Sequence, residues 1–106
     1  MDDFLNRQFS LIRRAIVDYQ GGMLSLNAFV HRVEAIGKVI NGNFWDERLF
    51  PIVVDLERIN SEIIDQGRHA TLSENERIKH LLSQLDAISD QQELTMSNLI
   101  NERDKI

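Results

Sequence analysis

With 106 residues the chain is sized for one domain spanning 1–106, long enough to bury roughly 60–70% of the surface its unfolded form exposes. Its 42% hydrophobic and 27% charged content, with a single proline, fits a folded protein and excludes a disordered acidic tail. Seventeen acidic residues against twelve basic ones leave a formal charge of −5, the wrong sign for an affinity built on neutralising phosphates, so nucleic acid is not an expected ligand.

Cysteine is absent, which removes disulfides and thiolate zinc sites and leaves packing to hold the fold. The opening "MDDFLNRQFS" carries acids where a secretory leader carries basic residues, and no apolar run approaches the ~18 residues of a membrane span. A cytoplasmic protein with no membrane partner is expected. The negative field would steer a basic protein toward the surface, although ordinary soluble proteins carry the same sign.

Apolar residues recur at helical spacing nearly throughout, without the alternation of strands, and predict an all-α fold. In the first helix Leu5, Phe9, Ile12, Ile16 and Tyr19 share a face, and Gly21-Gly22 ends it. Ser25 is placed to cap the second helix, with Leu24 and Phe29 spaced as a hydrophobic staple. Its buried face is Leu26, Phe29, Val30, Val33, Ile36 and Ile40, and "NGN" at 41–43 stops it.

Asn43 can cap a short helical stretch through Phe50. Pro51 lacks an amide hydrogen and its ring meets the carbonyl four residues back, so the third helix kinks or restarts there. Beyond it Ile52, Val53, Leu56, Ile59, Ile63 and Ile64 form the apolar stripe, closed by Gly67. Ser73 to Glu76 reads as a capping box for a helix burying Ile78, Leu81, Leu82, Leu85 and Ile88. From about Asp90 a weaker segment with Leu94, Met96, Leu99 and Ile100 either continues that helix or folds back, and "NERDKI" is expected to fray. Short connections between amphipathic helices imply an antiparallel bundle of four or five helices.

No sequence pattern for catalysis emerges. His31, His69 and His80 stand far apart, and the pairs Glu76/His80 and His31/Glu34 read as solvated helix neighbours. "QGG" and "NGN" lack the lysine and the strand-to-helix context of a phosphate loop. Carboxylate pairs such as Asp46/Glu47 or Asp55/Glu57 read as surface charge without a cleft. Neither an enzyme nor a cofactor nor a metal is expected.

What remains is the segment "FWDERLFPIVVDLERINSEIIDQG", which holds the single tryptophan, the single proline and a dense set of acids. Asp55, Arg58, Glu62 and Asp65 lie three or four apart on one face, away from the apolar stripe. That face is either plainly solvated or a docking surface for a basic protein, extended by Asp46, Glu47 and an exposed edge of Trp45. In so small a domain Trp45 is more often a core residue.

The stretches "DYQGGMLSLNAFVHRVEAI" and "FPIVVDLERINSEIID" give the chain a resemblance, over about residues 10 to 90, to small helical immunity proteins of bacterial polymorphic-toxin and contact-dependent growth inhibition systems. It rests on element order and character. The resemblance implies a cytoplasmic protein that binds one cognate toxin domain, often a basic nuclease, and blocks its active site or substrate approach. On that reading Trp45, Asp46, Glu47, Asp55, Glu62 and Asp65 are the candidate partner-binding residues, with Arg58 fixing register; they are chosen from local charge and spacing. The competing expectation is a regulatory or adaptor protein that self-associates through a spare apolar face, for which a homodimer is compatible.

Overall fold

The apolar stripes close into a four-helix arrangement. A computed structural model describes the backbone of residues 2–40 and 42–104 and the side chains of 4–40 and 42–91. Helix α1 spans Asp2–Gln20, α2 Leu26–Ile40, α3 Gly42–Phe44, α4 Phe50–Gln66 and α5 Leu72–Asp104, with a π-helical turn at Trp45–Leu49 joining α3 to α4. No strand occurs among the described residues. Helix α1 packs on α2 and α5, and α4 packs on the same two, so α1 and α4 stand at opposite corners. Contacts fix the antiparallel sense: Tyr19 at the end of α1 lines a cavity with Asn75 and Ile78 at the start of α5, whereas the earlier Arg13 reaches Asp86 and Asp90, and Asn27 near the start of α2 accepts from Asn60 late in α4.

One cluster fills the interior. Phe9, Ile12, Ala15 and Ile16 of α1 meet Phe29, Val30, Val33 and Ile36 of α2, Ile52, Val53 and Leu56 of α4, and Ile78, Leu81, Leu82 and Leu85 of α5. Leu5, Tyr19, Leu26, Ile40, Ile59 and Ile88 pack partly buried around it. Ile64, placed on the stripe by its spacing, is instead 56% exposed.

The helix ends explain most of the turns. Met23 donates to the Asp18 carbonyl at 2.8 Å to close α1, and the Ala28 amide donates to Ser25 Oγ at 3.1 Å to open α2. Gly67 takes φ +59°, and Arg68 N donates to Ile63 O at 3.2 Å, the six-to-one bond of a Schellman ending.

Two local expectations need correction, and one open alternative is settled. The third helix begins at Gly42, so Asn43 lies inside it and is not its cap; Asn41 lies outside the described residues. The capping box belongs to Thr71 and Glu74, not to Ser73 and Glu76. Glu74 N donates to Thr71 Oγ1 at 3.1 Å while Thr71 N donates to Glu74 Oε1 at 2.9 Å. Both registers carry the required residue types, and the one starting nearer Gly67 makes the tighter connection. Of the two courses open to the segment after Asp90, the chain takes continuation: the α5 backbone runs unbroken to Asp104. The packing of Leu94, Met96, Leu99 and Ile100, and the end of "NERDKI" at 105–106, lie outside the described residues.

Candidate functional site

Pro51 shapes the segment that carries the candidate residues. Lacking an N–H, it cannot sit inside an unbroken α-helix without losing a bond and crowding the carbonyl of Glu47. The chain widens by one residue just before it: Phe50 N donates to Trp45 O, five residues back. Pro51 then occupies the first turn of α4, where no intrahelical donor is needed. The helical path therefore continues through the proline, and the π turn provides the restart that the sequence suggested.

That turn points Trp45 inward. Its indole lies against Gly37 of α2 so closely that a methyl group added at Gly37 would fall 2.3 Å from the ring. Trp45 is 9% exposed and belongs to the core, so it is not the exposed anchor considered from the sequence. Within this segment Phe50 is the aromatic left at the surface, 44% exposed, with its ring 6.0 Å from that of Trp45.

The charged candidates lie outside the core. Asp46 and Glu47 are exposed on the π turn, and Arg58, Glu62 and Asp65 are exposed on α4. Asp55, half-buried, leans toward α5 and pairs with Arg77 at 3.3 Å. Glu62 accepts from Gln66 and stands 4.0 Å from Arg68. The stripe is therefore partly neutralised at Asp55 and Glu62, while Asp46, Glu47 and Asp65 form no salt bridge among the described residues.

Sequence reasoning missed a second acidic contact. Glu34 of α2 and Glu57 of α4 hydrogen-bond to each other across the helix pair. Burial first, then the hydrogen bond and negative charge of Glu57, hold the Glu34 carboxyl above the ordinary range, against the opposing fields of His31 and Lys38. The helical spacing of each glutamate was visible; their meeting depended on the α2–α4 register, which spacing does not encode.

Elsewhere Arg68 grips Glu74 with both terminal guanidinium nitrogens, at 2.7 and 3.1 Å. That fork, aided by the Thr71 amide, lowers the Glu74 pKa to about 2. It fastens the connection between α4 and α5.

Cavities of about 350 and 300 Å³ share Tyr19 and Ile78 at the connection end of the bundle, and one of about 310 Å³ lies between α1 and α5 around Arg13 and Asp86. None of the seven candidate residues lines any of the three. Among the described residues no three His, Asp or Glu side chains converge to hold a metal ion, and His31, His69 and His80 are all exposed. No helix among them is long and apolar enough to cross a membrane. Chemically, the arrangement offers an open charged surface beside one exposed aromatic. Comparison with protein-family models, curated proteins and solved structures returns no match for this chain.

Proposed function

We propose that the protein is a cytoplasmic immunity protein that binds a basic toxin domain and blocks its active site or substrate approach. The observation that supports this reading best is the placement of Asp46, Glu47, Glu62 and Asp65: all are exposed, and none is absorbed by the core, a cavity or a metal cluster. Carboxylates on an open face attract a surface evolved to hold phosphate, and close charge pairing excludes its substrate.

The test is binding to a toxin domain where the neighbouring reading frame encodes one. Affinity is expected to fall with added salt. Glu47→Lys combined with Asp65→Lys is expected to slow association and weaken binding at least tenfold, with the unfolding midpoint unchanged. Unaltered affinity in that variant would remove this face from the mechanism. A second reading, an adaptor acting by self-association, draws on Met23 and Leu72, 79% and 78% exposed. Sedimentation of the free protein separates the two, since only the adaptor requires a dimer.

A further inference from the structure

Along the edge of α4 that borders α2, Phe50, Glu57 and Ile64 follow one another at seven-residue intervals. Two turns separate successive members, so the three fall nearly in line over about 21 Å. Phe50 and Ile64 are 44% and 56% exposed, and Glu57 between them is exposed. The two apolar residues flank an acidic one on a single helix edge, so a partner laid along that edge would meet all three.

The centre of the line is electrostatically incomplete. Glu57 faces a second carboxyl, Glu34; one of the two must hold a proton to donate their hydrogen bond, and with both ionised they repel. The basic residues that act on Glu34, His31 and Lys38, stand one turn to either side on α2, and neither closes an ion pair with it among the described residues. Asp46 and Glu47, four and three residues before Phe50 on the π turn, add negative charge beside it. A basic group between Glu34 and Glu57 would replace a repulsive contact with two attractive ones.

We infer that the Phe50–Glu57–Ile64 line, widened by Glu34, seats an amphipathic helix of the basic partner. The helix lays apolar side chains on Phe50 and Ile64 and inserts an arginine or lysine between the two carboxylates. Charge complementarity identifies the occupant, and the length of the line matches four turns of a helix. The inference rests on the proposed binding of a basic toxin domain and adds where the apolar anchor lies once Trp45 is buried.

The experiment measures affinity of the toxin domain for full-length protein carrying Ile64→Asp, Glu57→Lys or Glu34→Gln, beside the Glu47→Lys/Asp65→Lys variant. Ile64 and Glu57 are exposed, so thermal unfolding is expected to show intact folds. Ile64→Asp and Glu57→Lys are each expected to weaken binding at least tenfold. In mildly acidic buffer the wild type is expected to release a proton on binding, as a cation displaces the one held by Glu34, and Glu34→Gln is expected to abolish that release. Edge variants within twofold of wild type, while Glu47→Lys/Asp65→Lys binds weakly, would overturn the edge and keep the immunity reading. Absence of any wild-type binding would overturn both. Self-association of the free protein that Ile64→Asp abolishes would make the occupant a second copy and overturn the inference.

Discussion

Gly37 and Trp45 form a pair in which each residue explains the other. Glycine inside a helix is normally unfavourable by about 1 kcal/mol relative to alanine. Here it clears the space that the indole fills, and a methyl group placed there would overlap the ring. Gly37→Ala is therefore expected to destabilise the protein by about 1–3 kcal/mol despite its better helix propensity. In a Trp45→Ala background, itself about 3–5 kcal/mol less stable, the same change should become neutral or stabilising. Urea denaturation of the four proteins in the cycle checks this, and additive losses would show that the ring and Gly37 do not meet. At this scale the sequence was partly legible. A lone tryptophan in a small domain favours the core on size alone, but nothing near Gly37 announces a partner eight residues later, because the contact depends on how the π turn is set against α2.

Among the elements, the helices were readable because buried side chains must repeat at helical spacing, as Phe9, Ile12 and Ile16 do on α1. Starts and stops were less so. The π turn before Pro51 answers a donor that is missing, and the choice among kink, break and widening is settled by the fit of Trp45 and Leu49 into the core. Two overlapping capping boxes, Thr71/Glu74 and Ser73/Glu76, were equally good in residue type, and the Schellman ending at Gly67 together with the Arg68 fork favours the first. Thr71→Ala is therefore expected to lower stability by about 1 kcal/mol, while Ser73→Ala stays within about 0.5 kcal/mol of wild type, as measured by thermal unfolding. Because the folded state depresses the Glu74 pKa to about 2, the stability from its ionised form is present above the ordinary carboxylate range and lost as pH falls toward 2. Glu74→Gln should flatten that acid limb.

On the scale of the molecule, an excess of carboxylates must be distributed over a small surface, and at the Glu34–Glu57 contact two of them meet. All-α character follows from patterning along each helix, whereas this contact follows from the pairing of α2 with α4, which is why the outer face of α4 was legible in the sequence and its edge was not. Glu34 titrates above the ordinary range in the fold, with Glu57, His31 and Lys38 as its charged neighbours. Its stabilising contribution is therefore complete at acidic pH and lost as pH rises through the raised value, the reverse of Glu74. Glu34→Gln keeps a hydrogen-bonding side chain without the charge, so it should stabilise the protein at neutral pH by about 0.2–0.5 kcal/mol, the scale of like-charge neighbours on helices, and make no difference in acid. Urea denaturation at the two pH values measures this. A residue that serves packing alone would lose stability and affinity together when replaced, whereas a carboxylate kept for an incoming cation should gain the first and lose the second. Opposite signs in Glu34→Gln would therefore separate a docking role from a structural one at this contact.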